Sequence, residues 1–221
     1  MKQKTIFWNV DTQYDFMRND EGFKGKLAIP GARDIEGNLE KLTKLAKAIN
    51  LQTVNTADWH NKDTKEIAAD PNFKTTFPEH CIQYTEGARF VPATNPEQPY
   101  AIDWQREVGF NPDEYRAMEY GMRNIVLYKD KFDIFAGNKY ADEVLKTINP
   151  ENVVVYGVAT NVCVNYAVLG LLKRRKKVYA VIDAMKELPG CNLEEIFGKW
   201  EEKSAMLIKT NEVLFDLGVV K

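Results

Sequence analysis

Residues Glu151–Ala184 read ENVVVYGVATNVCVNYAVLGLLKRRKKVYAVIDA, and their pattern is the clearest indication of the fold. It opens with Val153–Val158, an apolar and largely β-branched run that is typical of a buried strand. Apolar side chains then recur at helical spacing from Val162 to Leu172, and Val178–Ile182 is a second buried strand. The stretch therefore predicts a strand, a helix and a second strand, the repeating unit of parallel α/β sheets.

Cys163 is the chemically informative residue of this stretch, because it follows the first strand at the point where the helix begins. Backbone N–H groups without helical partners and the positive end of the helix dipole stabilise a thiolate at such a position. Ligands of open α/β sheets also bind at this edge. Most free cysteines are small buried apolar residues, and the stretch alone slightly favours that simpler interpretation.

The composition of the whole chain limits the classes of protein to consider. Its 221 residues are enough for one sizeable domain, and 44% hydrophobic with 28% charged residues is ordinary for a globular protein. A formal net charge of −2 and a pI near 5.8 do not point to nucleic acid or to an anionic membrane. Three widely spaced cysteines do not make a disulfide framework, and neither a signal peptide nor a membrane span is recognisable. These features predict a cytoplasmic protein.

Strands and helices alternate along the rest of the chain. The predicted strands are Thr5–Val10, Leu51–Ala57, Asn124–Tyr128 and Met206–Lys209, and the predicted helices are Asp34–Asn50, Pro112–Met122, Tyr140–Ile148 and Leu193–Ala205. This alternation predicts a three-layer, doubly wound α/β fold with a mostly parallel sheet and helices on both faces. We expect residues 1–221 to form a single domain, with a long loop excursion at about 87–123 that is suited to a lid or an interface.

Three chemically complementary residues follow the ends of predicted strands, namely Asp11, Lys129 and Cys163. Polar residues at the carboxyl ends of parallel strands gather at one edge of the sheet. There an ammonium group can lower the pKa of a thiol, and a carboxylate can take up and deliver its proton. Each residue alone could be a loop cap or a surface charge, but the set predicts a nucleophilic cysteine site.

The two histidines of the chain point to a second site. Asp58 and His60 are two positions apart, so both side chains project from the same face of an extended backbone. His80 could complete a mixed nitrogen and oxygen site suited to zinc, iron or manganese, and Glu66 or Asp63 is a further candidate ligand by proximity in sequence. An isolated Asp-x-His is more often part of an ordinary polar loop, and that alternative stays open here.

The pattern of these residues resembles the isochorismatase-like cysteine hydrolases, and within them the nicotinamidases. The resemblance extends from Phe7 to Ala184 and is carried by the segments NVDTQYDF at 9–16 and GVATNVCV at 157–164. It implies the three-layer fold described above. The catalytic residues that it implies are Asp11 as the aspartate, Cys163 as the nucleophile and Lys129, rather than Lys131, as the lysine.

The resemblance also implies a metal and a substrate. The segments TADWH at 56–60 and FPEHC at 77–81 are similar to the nicotinamidase metal site, which implies Asp58, His60 and His80 as ligands. The implied cofactor is one divalent ion, with zinc as the first choice and iron or manganese as alternatives. The implied reaction converts nicotinamide to nicotinic acid and ammonia through a covalent thioester.

Further features of the active site are implied in the same way. The family has a cis peptide bond in the nucleophile turn, which falls here between Val158 and Ala159, and N–H groups of that turn would stabilise an oxyanion. Phe16, Trp59 and Phe132 are candidates for stacking on the substrate ring, although each could equally belong to the core.

Two other functions remain open. A related hydrolase acting on another small amide or carbamoyl compound fits two departures from common nicotinamidases, the excursion at 87–123 and the segment FDIF at 132–135. A non-catalytic binding protein of the same fold would have no physical reason to keep the aspartate, lysine and cysteine together. The resemblance also implies a homo-oligomer acting on a small amide, without a nucleic-acid or membrane partner.

Overall fold

The computed structural model describes residues 5–107, 110–117 and 123–216. The strands are β1 (Thr5–Val10), β2 (Thr53–Asp58), β3 (Tyr100–Ile102), β4 (Asn124–Lys129), β5 (Asn152–Val158), β6 (Lys177–Lys186) and β7 (Met206–Ile208). The helices are α1 (Tyr14–Met17), α2 (Glu36–Ala48), α3 (Pro112–Ala117), α4 (Ile134–Gly137), α5 (Ala141–Ile148), α6 (Asn165–Lys173), α7 (Leu193–Glu202) and α8 (Thr210–Asp216).

Within the described residues, the strands form one seven-stranded sheet in the order β3-β4-β2-β1-β5-β6-β7. Every pair of neighbouring strands is parallel. Parallel pairing requires a crossover between strands, and the crossover helices cover the sheet. The predicted doubly wound α/β fold is therefore confirmed, with a sheet that is wholly rather than mostly parallel.

Within the described residues, apolar side chains make one large core on each face of the sheet, because successive residues of a strand point to opposite faces. One core contains Trp8 and Leu127 and is covered by helices that include α5 and α6. The other contains Phe7 and Tyr156 and is covered by α2 and α8, to which Leu39 and Val213 contribute. The helices on both faces complete the three layers.

The excursion at 87–123 contains structure that the sequence pattern does not predict. The short strand β3 pairs with β4 at the edge of the sheet, and three residues are too few to show a clear alternation of polar and apolar positions. The helix predicted over Pro112–Met122 is present as α3 over Pro112–Ala117, and residues 118–122 lie outside the described residues. The short helices α4 and α8 were also not predicted.

The centre of the sheet sets the position of the site. From β1 the chain moves first to β2 on one side of the sheet and later to β5 on the other, so the strand order reverses between β1 and β5. A crevice opens beyond the carboxyl ends of the strands at such a reversal. Gly157 permits the close approach of the two strands there, because its φ is +119° and a Cβ at this position would lie 2.1 Å from the Val10 carbonyl oxygen.

None of the helices within the described ranges is both long enough and apolar enough to cross a membrane.

Candidate active site

Four neighbouring strands deliver the candidate residues to one edge of the sheet. Asp58 and Lys129 are the last residues of β2 and β4, and they are paired partners in the parallel register. Asp11 directly follows β1, and Cys163 lies in a π-helical turn, Thr160–Val164, between β5 and α6. The reactive atoms of Asp11, Asp58 and Cys163 all lie within 4.8 Å of one another.

Lys129 is the centre of this cluster. Its side chain is only 1% exposed, and its ammonium Nζ lies 2.9 Å from Asp11 Oδ2 and 3.6 Å from Cys163 Sγ. The same ammonium donates a hydrogen bond to Asp58 Oδ1. Burial alone would lower the pKa of Lys129, but the two carboxylates raise it well above its usual value. Lys129 is therefore a permanent cation, whereas Lys131 is exposed and donates to the Ala136 carbonyl.

Asp11 is held in one orientation from two sides. Its Oδ1 accepts a hydrogen bond of 2.6 Å from Thr56 Oγ1, and its Oδ2 faces Lys129. The backbone of Asp11 has φ +49°, in the left-handed region that non-glycine residues seldom adopt outside special sites. Burial raises the pKa of Asp11, and Lys129 offsets only part of that rise. A carboxylate with a raised pKa is a better proton acceptor than an ordinary surface aspartate.

Cys163 differs from the sequence prediction in its protonation state. Burial is the main effect and raises the pKa of the thiol well above its usual value, while Lys129 lowers it only in part. Asp11 and Asp58 add to the rise, because a thiolate next to two carboxylates is repelled. These effects favour the thiol over the thiolate that the start of a helix would stabilise. The thiol needs a base, and Asp11 lies beside it.

Asp58, His60 and His80 form a second group on the same edge. The Nε2 atoms of both imidazoles lie 3.6 Å from Asp58 Oδ2, and the side chains are all at most 3% exposed. The two rings are 4.7 Å apart between centroids. His80 Nδ1 lies 2.7 Å from the Pro78 carbonyl oxygen, so it carries the proton and leaves the Nε2 lone pair facing Asp58. Lys129 and His60 hold the pKa of Asp58 well below its usual value, despite burial.

These residues fit a divalent metal ion. Among the described residues, both ring nitrogens of His60 are buried and have no hydrogen-bond partner, which is costly for polar atoms. A distance of 3.6 Å is too long for a hydrogen bond to Asp58, yet it suits two ligand atoms that share an ion. One carboxylate and two imidazoles are ordinary ligands of zinc, iron and manganese.

Glu66, a further candidate ligand, lies outside this group. Its Oε1 accepts a hydrogen bond of 3.1 Å from the backbone N–H of Phe132. Burial raises the pKa of Glu66 to about 7. Proximity in sequence was therefore a poor guide here, because the chain between His60 and Phe77 turns away to contact the segment after β4.

A cavity beside these groups has a mainly apolar wall. Its lining residues are Phe16, Leu27, Ile29, Asp58, Phe77, His80, Phe132, Ala159, Val162, Cys163 and Leu188. Phe16 packs against the His80 ring at 5.3 Å between centroids, and Phe132 packs edge-on against Phe77 at 5.5 Å. Two of the three aromatic residues predicted to contact a substrate therefore line the cavity.

Trp59 is the exception, because it is not among the residues that line this cavity. The Trp59 ring packs against Tyr84 and Tyr128 and lines a separate surface depression. The reason is the alternation of side chains along an extended segment, which turns Trp59 away from the face that Asp58 and His60 share.

The nucleophile turn has the geometry that the resemblance implied. The peptide bond between Val158 and Ala159 is cis. The Ala159 carbonyl accepts hydrogen bonds from the N–H groups of Val162 and Val164, which closes the turn around Cys163. Ala159 and Cys163 both line the cavity.

Two residues whose hydrogen bonds hold the backbone of the site were not predicted from the sequence. Gln13 and Asp15 are buried and form hydrogen bonds to the backbone next to the metal-ligand candidates. Both lie in the segment NVDTQYDF at 9–16, in which only Asp11 and Phe16 had been assigned a function. A polar side chain at every second position after an apolar strand was the available signal.

Comparisons with known proteins agree with the fold. The model of the Isochorismatase domain family matches residues 111–192. A nicotinamidase of Escherichia coli (strain K12) is 24% identical over 200 residues, covering 84% of this chain and 83% of that protein. The zinc-bound pyrazinamidase of Pyrococcus horikoshii matches with a TM-score of 0.70 and 22% identity, over 93% of this chain and 99% of that one. The N-carbamoylsarcosine amidase of Thermoplasma acidophilum gives 0.69 and 20%, over 94% and 97%.

The chain is therefore similar to the isochorismatase-like hydrolases, and it has their fold. The similar proteins include a nicotinamidase and a pyrazinamidase.

Proposed function

We propose that this protein is a metal-assisted cysteine amidohydrolase that converts nicotinamide to nicotinic acid and ammonia. The observation that carries the proposal is the placement of Cys163 and two metal-ligand candidates, Asp58 and His80, in the wall of one cavity. A small ring held at the ligand side of such a cavity has its substituent within reach of the thiol. Binding and chemistry would then be aligned by the same few side chains.

Cys163 and Asp11 would carry the proton and the covalent bond. As Cys163 Sγ attacks the amide carbon, Asp11 takes the thiol proton, which the raised pKa of the thiol makes necessary. Asp11 then delivers that proton to the amide nitrogen, so that the C–N bond breaks and ammonia leaves. Lys129 keeps the aspartate and the sulfur in contact throughout, because its ammonium touches both.

The second half of the reaction would regenerate the enzyme. Asp11, now unprotonated, takes a proton from a water molecule, and the resulting hydroxide attacks the thioester carbon. The C–S bond breaks, nicotinic acid leaves and Cys163 recovers its proton. In both halves the negative oxygen of the tetrahedral intermediate would be stabilised by N–H groups of the turn, and we assign this role to Ala159 and Cys163.

The metal is a binding group in this proposal. Asp58, His60 and His80 would hold it, and zinc is our first choice because one carboxylate with two imidazoles is a common zinc ligand set. When bound, it would supply a Lewis acid to which the pyridine nitrogen can coordinate.

The cavity wall favours an uncharged ring over the main alternative substrate class. A carbamoylated amino acid, as acted on by one of the structural relatives, carries a carboxylate that needs a cation or several donors. Among the described residues that line this cavity there is no arginine or lysine, and seven of the eleven are large apolar side chains (Phe16, Leu27, Ile29, Phe77, Phe132, Val162 and Leu188). Nicotinamide carries no charge, so its binding against this apolar wall costs less desolvation free energy than binding of a carboxylate would.

Ammonia release from three amides tests the proposal. We expect zinc-loaded protein to hydrolyse nicotinamide, and a chelator to abolish the activity. Benzamide has the same shape without the ring nitrogen and should react far more slowly, because it cannot coordinate the metal. Hydrolysis of N-carbamoylsarcosine but not of nicotinamide would support the alternative function. Equal rates with benzamide and nicotinamide would contradict the role given to the metal.

Replacement of His60 by alanine is expected to remove the metal and leave the fold intact. The affinity for zinc should fall by at least about 100-fold, since loss of even an outer partner of a metal ligand costs 10- to 100-fold. No hydrogen bond of the described protein is broken, because neither ring nitrogen of His60 has a partner among the described residues. Zinc content after dialysis and the circular dichroism spectrum measure the two effects. Retention of stoichiometric zinc would show that the ion binds elsewhere.

A further inference from the structure

Gln13 forms hydrogen bonds with both backbone groups of a metal-ligand candidate. Its Oε1 accepts from the N–H of Asp58 at 2.8 Å, and its Nε2 donates to the Asp58 carbonyl at 2.8 Å. The same Nε2 also donates to the Ala88 carbonyl at 2.8 Å. The side chain is fully buried and is not among the residues that line the cavity. It therefore acts on the backbone that carries Asp58 and does not touch a substrate.

Asp15 makes the corresponding contact on the other ligand-bearing segment. Its Oδ2 accepts a hydrogen bond of 2.7 Å from the N–H of Cys81, the residue after His80. Its Oδ1 accepts from the N–H of Lys26 at 3.0 Å. The carboxylate is 3% exposed, and within the described residues it forms no ion pair. Burial of a carboxylate without a cation costs free energy, which only its hydrogen bonds offset here.

The two ligand-bearing segments are also joined to each other. The N–H of His60 donates to the Cys81 carbonyl at 3.1 Å, and the N–H of Gln83 donates to the His60 carbonyl at 2.9 Å. Cys81 is therefore fixed through its N–H by Asp15 and through its carbonyl by His60. These hydrogen bonds connect the backbone segments that carry Asp58, His60 and His80. The buried side chains of Gln13 and Asp15 are hydrogen-bonded to the same segments.

We propose that Gln13 and Asp15 are positioning residues that set the separation of the three metal ligands. The proposal rests on the metal site of the proposed function. Side-chain donors that are already in place lower the cost of binding, because less freedom is lost when the ion arrives. Gln13 directly precedes the short helix α1, and Asp15 lies within it. Neither residue is among those that line the cavity.

Gly87 supports this interpretation of Asp15. A Cβ at position 87 would lie 2.2 Å from Asp15 Oδ2, which is far inside van der Waals contact. The Gly87 carbonyl accepts the N–H of Asp15 at 3.0 Å, so the backbone here is held against the carboxylate. Substitution of Gly87 by alanine would therefore displace the Asp15 carboxylate from Cys81 while every polar group remains in the chain.

Zinc affinity of three variants tests the proposal. Gln13→Met keeps the size of the side chain and removes its hydrogen bonds, Asp15→Asn replaces one accepting oxygen by an NH2 group, and Gly87→Ala displaces the carboxylate. For each, competition with a chromophoric chelator should show a dissociation constant for zinc raised by about 10- to 100-fold. The absorption bands of the cobalt-substituted protein should also change, because they report the arrangement of the ligands around the ion.

Two matched variants control for loss of stability. Asn138 resembles Gln13, because its Nδ2 donates to the carbonyls of Ile102 and Tyr128 and its Oδ1 accepts from Tyr140. Asp183 resembles Asp15, because its Oδ1 accepts from the backbone and side chain of Thr210. Asn138→Leu and Asp183→Asn should lower the melting temperature of the metal-free protein without changing the zinc affinity or the cobalt spectrum.

The outcomes separate the two proposals. Wild-type zinc affinity and an unchanged cobalt spectrum in Gln13→Met and Gly87→Ala would overturn the positioning role and leave the metal site standing. An equal loss of affinity in the control variants would also overturn it, since any loss of stability would then suffice. Failure of the wild-type protein to bind zinc or cobalt would overturn both proposals.

Discussion

Replacement of Cys163 by alanine is expected to reduce the rate of nicotinamide hydrolysis on the order of 10⁴-fold or more, because the bond-forming atom is removed. The other parts of the site should survive. Asp58, His60 and His80 do not depend on the thiol for their hydrogen bonds, and the sulfur contributes one 3.6 Å contact to Lys129. Metal content and thermal stability should therefore stay close to those of the wild-type protein. Steady-state ammonia release and metal analysis of the same sample measure both.

Cys191 offers a control for this prediction. It is a free, half-exposed cysteine in the loop before α7, and it is not among the residues that line the cavity. Cys191→Ala should retain full activity. Mass spectrometry of wild-type protein quenched during turnover should show an acyl adduct on Cys163 and none on Cys191. Substantial activity in Cys163→Ala would rule out the covalent route.

The sequence predicted which residues would meet because the rule that governs them is topological. Asp11, Asp58 and Lys129 stand at the ends of strands, and parallel strands in a doubly wound sheet end at one edge. Cys163 follows from the same rule, since it comes just after β5. Recognition of a strand from its apolar run was enough to predict that Asp11, Lys129 and Cys163 meet, whereas Asp58 was predicted separately, as a metal ligand.

The direction of a side chain and the protonation state of a group were harder to predict than the position of a residue in the fold. Trp59 lies between two ligand candidates in sequence, but alternation along the backbone places its ring on the opposite face. The thiol of Cys163 was expected to ionise at a helix start beside a lysine. Burial and the two carboxylates outweigh that effect, and the amount of burial depends on packing that a sequence pattern does not show.

The supporting residues illustrate a second limit. Gln13 and Asp15 act through hydrogen bonds to the backbone of Asp58 and Cys81, which are at least 45 positions away in the chain. Such contacts leave no periodic signal, because the partner is an N–H or a carbonyl that every residue has. The requirement for glycine at position 87 follows from the position of the Asp15 carboxylate, so it could not be predicted until that position was known.

Replacement of Lys129 by methionine is expected to lower both the stability and the activity of the protein. The side chain is 1% exposed and neutralises two buried carboxylates, those of Asp11 and Asp58. Removal of one partner from a buried ion pair leaves an uncompensated charge and costs about 3–5 kcal/mol in the free energy of unfolding. Activity should fall as well, because Asp11 and Cys163 lose the cation that holds them together. Urea unfolding in the presence of a chelator measures the change in the free energy of unfolding without a contribution from metal binding.

A surface lysine gives the matched comparison. Lys47 pairs with Glu97, and both side chains are more than half exposed, so Lys47→Met should cost less than about 1 kcal/mol. The double variant Lys129→Met/Asp11→Asn should recover part of the lost stability, because it removes one of the two unpaired buried charges. It should recover none of the activity, because Asp11 is also the proposed base. A double variant less stable than Lys129→Met alone would contradict the assignment of the penalty to the buried charge.

The pH dependence of the Lys129→Met penalty provides a further test of its cause. Burial already raises the pKa of Asp11 in the folded protein, and loss of the lysine removes the main effect that lowers it. A carboxyl group whose pKa is higher in the folded than in the unfolded state destabilises the fold above its unfolded pKa of about 3.9, and this loss disappears below that value. The difference in unfolding free energy between wild type and Lys129→Met should therefore shrink as the pH falls towards about 4. A difference that stays constant with pH would mean that lost packing around the lysine stem, and not the unpaired carboxylates, causes the penalty.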